Sequence, residues 1–163
     1  MIPEIALMMV LSASDMFEQM LKLEGDWEGS YEWTDGRTGT GDLRVRYRVT
    51  GAGSALVEDL LNADGVATMS TVYHLDGADL RMTHYCAARN QPRLKSSLFA
   101  EAPPAAEFEL VDVTGMTTFG SVRAFRIEIV DADHLNLRFT FGGNPKTSGI
   151  EHIRLTRANA ANT

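Results

Sequence analysis

The chain has 163 residues, 44% apolar and 23% charged, which fits one globular domain with a sizeable core. Its formal net charge of −7 argues against nucleic acid and anionic membrane as partners. The single cysteine, Cys86, excludes an internal disulfide, and no apolar run is long enough to span a bilayer.

In chain order, Ile5 to Leu11 is apolar and is followed by Ser12-Ala13-Ser14. No basic residue precedes this run, Glu4 stands before it, and it is short for the apolar region of a signal peptide. The reading is therefore a cytoplasmic protein, with a degenerate or truncated signal peptide at 1–14 as the alternative. Met8 and Met9 read as tail. Ser12 and Ser14 are candidate helix caps, followed at helical spacing by Met16, Phe17, Met20, Leu21 and Leu23. This predicts one short helix lying across the end of whatever follows.

From Asp26 onward the period changes to two. Leu43, Val45, Tyr47 and Val49 alternate with Arg44, Arg46 and Arg48, giving a half-buried strand with a basic outer face. Phe125, Ile127 and Ile129, then Leu135, Leu137, Phe139 and Phe141, repeat the pattern. Turn signals separate these runs: Asp35-Gly36, Gly51-Ala52-Gly53, Asp64-Gly65, Asp76-Gly77, Asn90-Gln91-Pro92, Pro103-Pro104, Gly115, Asp131-Ala132-Asp133 and Gly142-Gly143-Asn144-Pro145. The predicted strands are 26–34, 42–50, 54–62, 66–75, 79–88, 93–101, 106–113, 121–130, 134–142 and 149–157. The fold class is all-β: a closed up-and-down antiparallel barrel of about ten strands with a short N-terminal helix. It forms a single domain, with tail and helix over 1–24, barrel over 26–157 and tail over 158–163. A barrel of that strand number encloses more space than its own side chains need, which leaves room for a ligand.

The run Leu23-Glu24-Gly25-Asp26-Trp27-Glu28-Gly29 places Gly-x-Trp at the start of the first strand after a short helix. In this it resembles the calycins, the superfamily of lipocalins and fatty-acid-binding proteins. The resemblance implies that an Arg late in the last strand, Arg157 or Arg154, lies over Trp27 and closes the barrel floor. His84-Tyr85-Cys86-Ala87-Ala88-Arg89-Asn90-Gln91-Pro92-Arg93 resembles a stretch of uncharacterised bacterial lipocalin-like proteins. More distantly the chain resembles the nitrobindins, ten-stranded haem-binding calycins. That resemblance would make His152, in Gly149-Ile150-Glu151-His152-Ile153-Arg154, a haem ligand, although strict alternation makes Ile153 and Leu155 the inward pair.

The turns predict which residues share the interior. Two-residue loops at Asp64-Gly65 and Asp76-Gly77 put Leu60 opposite Met69, Glu58 opposite Thr71 and Leu56 opposite Tyr73. They also put Tyr73 opposite Leu80, Thr71 opposite Met82 and Met69 opposite His84. The shared face is mainly apolar and is assigned inward. Tyr47 and Val45 join it if the Gly51-Ala52 loop has two residues, whereas a longer loop turns Arg46 and Arg48 inward. The expected ligand-facing set is Tyr47, Glu58, Met69, Tyr73, Met82, His84 and Cys86, with Asn90 and Gln91 at the rim. Within it Glu58 and His84 are the polar anchors, since a buried carboxylate or imidazole needs a partner or a neutral state. Cys86 reads first as a small buried hydrophobe, and His74 and His134 as surface residues.

Metal-binding, phosphate-loop and Gly-x-Ser-x-Gly motifs are absent from the sequence. Three readings remain. The first is a protein, monomer or homodimer, that binds a lipid, fatty acid or aromatic metabolite without a cofactor. The second is a haem protein using His152. The third is a small barrel enzyme with Glu58 as base and His84 as acid.

Overall fold

The computed structural model describes residues 10–159; Met8, Met9 and most of the apolar stretch that begins at Ile5 lie outside them. Helix α1 (Ala13–Leu21) opens on Ser12, whose hydroxyl accepts from the Asp15 N–H while the Asp15 carboxylate accepts from the Ser12 N–H. This reciprocal cap selects Ser12 over Ser14 as the start. Ala13, Met16, Phe17 and Met20 form the buried face of the helix.

The remainder is strand: β1 (Gly25–Thr34), β2 (Gly39–Thr50), β3 (Ala55–Leu61), β4 (Ala67–Asp76), β5 (Asp79–Tyr85), β6 (Asn90–Ser96), β7 (Phe99–Glu101), β8 (Pro104–Gly115), β9 (Ser121–Ile129), β10 (His134–Gly142) and β11 (Gly149–Arg157). Consecutive strands pair antiparallel except β6 and β7, β1 pairs with β11, and β6 pairs with β8. Ten strands thus close into a barrel, and the short β7 lies against the first residues of β8. The predicted strand 93–101 is two elements, β6 and β7, and β8 starts at Pro104, earlier than expected. Closure leaves no long unpaired edge.

Gly29 allows the tight β1–β11 approach, because a Cβ there would stand 1.9 Å from the Arg154 carbonyl oxygen. At the α1 end, Trp27 is 1% exposed and its indole N–H donates to the Leu23 carbonyl at 2.8 Å. The Arg157 guanidinium lies 4.4 Å from the Trp27 ring and donates to the Lys22 and Glu24 carbonyls. One side chain therefore covers the indole and fastens the chain between helix and barrel. Of the two arginines, it is Arg157 that occupies this place.

The register follows the prediction at β3–β4, where Glu58 faces Thr71 and Leu56 faces Tyr73. The route differs: the loop is longer than two residues, and a bulge at Leu60/Leu61 restores the phase. At β4–β5 the turn is Gly77-Ala78 between Asp76 and Asp79, not Asp76-Gly77. Gly77 has φ 62°, the left-handed conformation that glycine adopts at no steric cost. The shift of two residues keeps every side chain on its face but sets His84 opposite Thr71, not Met69, and Tyr73 opposite Met82. The β2–β3 connection spans 51–54, longer than two residues. Its even length preserves parity, so Tyr47 and Val45 still face inward and the arginines outward, where Arg48 pairs with Asp59. Asn90-Gln91-Pro92 is not a turn. The chain reverses over Cys86–Arg89 with Arg89 at φ 62°, and β6 begins at Asn90.

Candidate functional site

Strands β1, β3, β5, β8 and β10 run away from the α1 end and β2, β4, β6, β9 and β11 return to it, so one set of loops lies beside α1 and the other at the far end of the barrel. The α1 end is filled. Trp27 meets Tyr47 edge to face at 6.5 Å, and Tyr73, Phe108 and Phe125 continue the aromatic packing toward the middle.

A buried polar cluster lies within this packing. Glu58 has no exposed surface, and its Oε2 accepts from the Tyr47 hydroxyl at 2.7 Å and the Tyr73 hydroxyl at 2.9 Å. Its Oε1 has no partner among the described residues. Burial pushes the Glu58 carboxyl up, the two tyrosine hydrogen bonds opposing it in part. Burial also raises both tyrosine hydroxyls, and the neighbouring Glu58 charge adds to this. One strand further, His84 Nδ1 is 2.8 Å from the Thr71 hydroxyl, and burial lowers the imidazole to about 4. The ring is therefore neutral at pH 7. It lies against Phe139, with centroids 5.4 Å apart.

Beyond His84 and Phe139, toward the end away from α1, the barrel is open. A pocket of about 550 Å³ occupies this half. Side chains from eight strands reach it, among them Tyr31 and Trp33 of β1, Leu43 of β2, Met69 of β4, Val122 of β9 and Phe141 of β10. Polar groups lie mainly at its mouth: Arg37, Lys146 and Glu151. The Arg37 guanidinium lies 3.8 Å over the Trp33 ring and 5.9 Å from that of Phe141. Glu151 faces inward from β11 between its cross-strand neighbours Trp33 and Phe139. Burial raises its carboxyl to about 7 against the opposing pull of Arg37.

The residues expected around a ligand divide accordingly. Met69, His84 and Cys86 line the pocket. Tyr47, Glu58, Tyr73 and Met82 face inward but are part of the filled core, outside the pocket wall. The aromatic packing that accommodates the Glu58 cluster also seals it off. Asn90 is fully buried and donates to the Met116 and Gly120 carbonyls, holding the β8–β9 loop, and Gln91 accepts from Thr114 on the neighbouring strand. Neither is a rim contact, because each side chain is engaged by the chain itself. His152 points outward, 3.1 Å from the Thr34 hydroxyl and between Glu32 and Arg138 of the flanking strands. With Ile153 and Leu155 buried, alternation leaves no inward place for it, and the residue does not fit a haem ligand inside the barrel. The acid–base reading loses its base, since Glu58 does not reach the pocket.

The residues that sequence reasoning missed are the aromatic wall and the charged mouth. Trp33 and Tyr31 share parity with Trp27, and Glu151 shares it with Ile153, so counting inward from those anchors would have found them. Arg37 and Lys146 stand in loops, where alternation carries no signal.

No family model matches the sequence, and no curated protein matches it. Among solved structures, the chain is similar to Rv2717c from M. tuberculosis, with a TM-score of 0.63 and 14% identity over 88% of this chain and 98% of that one. It is also similar to a DUF3598-family protein from Nostoc punctiforme, with a TM-score of 0.55 and 12% identity over 86% of this chain and 49% of that one. The chain thus spans about half the length of the Nostoc protein. At these identities the likeness is one of fold, a closed antiparallel barrel that agrees with a calycin-like architecture.

Proposed function

We propose that the protein binds a small, largely apolar molecule, such as a lipid, a fatty acid or an aromatic metabolite, in the open half of its barrel. The observation that carries this reading is the asymmetry of the interior. One half is filled with Trp27, Tyr47, Tyr73, Phe108 and Phe125, while the other keeps a pocket of about 550 Å³ walled by apolar and aromatic side chains. A barrel that needed only stability would fill both halves, since unfilled apolar space costs about 24 cal/mol per Å³. The volume falls within the ~300–1,000 Å³ typical of small-molecule sites. A neutral imidazole at the floor offers one fixed polar contact, held in orientation by Thr71.

Nile red, an uncharged fluorophore that brightens in apolar surroundings, tests the reading. The folded protein should take it up saturably with one site per chain. Met69→Trp fills the pocket from β4 and should abolish uptake while leaving the circular dichroism spectrum and cooperative melting in place. Met82→Trp would be a poor test, because Met82 is 1% exposed in the packed core. Uptake unchanged in a folded Met69→Trp variant would show that the dye binds elsewhere and overturn the proposal.

A further inference from the structure

The pocket mouth bears two cations that form no close ion pair among the described residues. The Arg37 guanidinium is laid flat on Trp33, and Lys146 stands in the loop between β10 and β11. Arg37 is held through its backbone, whose N–H donates to the Ser148 carbonyl at 3.0 Å. Among the described residues no ion pair or side-chain hydrogen bond engages its guanidinium or the Lys146 ammonium. Elsewhere on the barrel, Arg46, Arg48, Arg81, Arg93, Arg126 and Arg138 each meet a carboxylate and Arg44 donates to two carbonyls, whereas Arg89, Arg123 and Arg154, like Arg37, meet no carboxylate among the described residues. Place, not pairing, sets Arg37 and Lys146 apart: on a chain with a formal charge of −7 they bring two cations to the edge of an apolar pocket.

We infer that the ligand is an amphiphile with an acidic head, most simply a long-chain carboxylate, whose chain lies among Leu43, Met69, Val122 and Phe139 and whose head is held at the mouth by Arg37 and Lys146. This deepens the ligand-binding reading and rests on it. A guanidinium fixed by an aromatic face loses little freedom on binding and presents parallel donors to a carboxylate, the geometry that makes such pairs stronger than neutral hydrogen bonds. Phe119, half-exposed beside Lys146 at the pocket edge, supplies further apolar surface where the chain leaves the head.

Glu151 adds a pH dependence. It is flanked across the strands by Trp33 and Phe139, both uncharged, and the charged or titratable groups that share its pocket are Arg37, Lys146, His84, Cys86 and Tyr31. His84, lowered to about 4, is neutral near pH 7, and burial pushes the Cys86 thiol up, so it is neutral as well. Glu151, at about 7, changes charge there. Protonated below pH 7 it leaves the cations to the ligand head. Ionised above pH 7 it competes for them and repels a second carboxylate. Affinity for an acidic head should therefore fall as the pH rises from 6 to 8.

Competition against Nile red tests this on the full chain with decanoate and decanol, the same chain length with and without the charge. At pH 6 decanoate should displace the dye at a concentration about tenfold below that of decanol, the effect of one charge-assisted contact. In the Arg37→Gln/Lys146→Gln variant, with folding checked by circular dichroism, that preference measured within the same variant should disappear. The preference of the unaltered protein should shrink at pH 8, and Glu151→Gln should abolish the shrinkage. Equal displacement by decanoate and decanol, or a preference that survives in the double variant, would overturn the acidic head while leaving the pocket reading intact. Failure of the folded protein to take up Nile red at all would instead remove the pocket reading and this inference together.

Discussion

Acidification should unload the fold through His84, and the size of the effect follows from its burial. In the unfolded chain the imidazole titrates near its ordinary 6.5, whereas in the barrel it titrates at about 4. Between those values the unfolded state binds a proton that the folded state refuses, so stability is lost as the pH falls through that window. The full difference of about 2.5 units corresponds to ~3 kcal/mol, of which ~2.5 kcal/mol is already lost at pH 4.5. Glu58 works in the opposite direction: its raised carboxyl makes the folded state bind a proton more readily than the unfolded state, so that contribution falls as the pH rises above the ordinary carboxyl range. The net pH profile therefore mixes the two, and His84 must be isolated by substitution. His84→Gln keeps a polar group beside Thr71 and does not titrate. Urea denaturation of both proteins at pH 7 and pH 4.5 gives the difference directly. The destabilisation caused by His84→Gln at pH 7 should shrink by about 2.5 kcal/mol at pH 4.5, because the unaltered protein has by then lost what the histidine contributed. A difference between the two proteins that stays constant with pH would mean that His84 is not held neutral by burial, and would refute its place at the pocket floor.

Trp27→Ala should cost ~3–5 kcal/mol in urea melts, the range for a large buried aromatic, and a loss below ~1 kcal/mol would mean that the closed end does not depend on the indole. Asn90→Ala strands the Met116 and Gly120 carbonyls and should cost ~1–3 kcal/mol. It should also speed hydrogen exchange at the Gly120 amide, which donates to Thr117 within the loop that Asn90 holds; unchanged exchange there would show that the loop is secured by other contacts.

Much of the barrel was legible because parity is robust. Alternation at Val45 and Tyr47, Phe125 and Ile127, or Phe139 and Phe141 depends on neighbours within a strand, and it persists through errors of an even number of residues at the turns. That is why moving the β4–β5 turn by one residue, which shifts the pairing by two, still leaves His84 facing inward. The Gly-x-Trp start likewise led to the Trp27–Arg157 closure. Depth was not legible. A strand pattern tells inside from outside but not how far along the barrel axis a side chain stands, so Tyr47, Glu58, Tyr73 and Met82 were grouped with Met69 and His84 although core packing separates them. The mouth was not legible either, because Arg37 and Lys146 owe their positions to loop geometry. Asn90 read as a turn residue because its partners, two carbonyls in the β8–β9 loop, are distant in sequence.

The most direct measurement of the central claim uses the chain's eight methionines as methyl probes. With carbon-13-labelled methionine methyls, each resonance assigned by substitution, decanoate is titrated into the folded protein at pH 6. Met69, on the pocket wall, should shift saturably, while Met16 and Met20 on the buried face of α1 and Met82 in the filled core should move little. Shifts concentrated at Met16 and Met20 would place the ligand at the wrong end of the barrel, and a Met69 resonance that does not move at saturating decanoate would contradict the account.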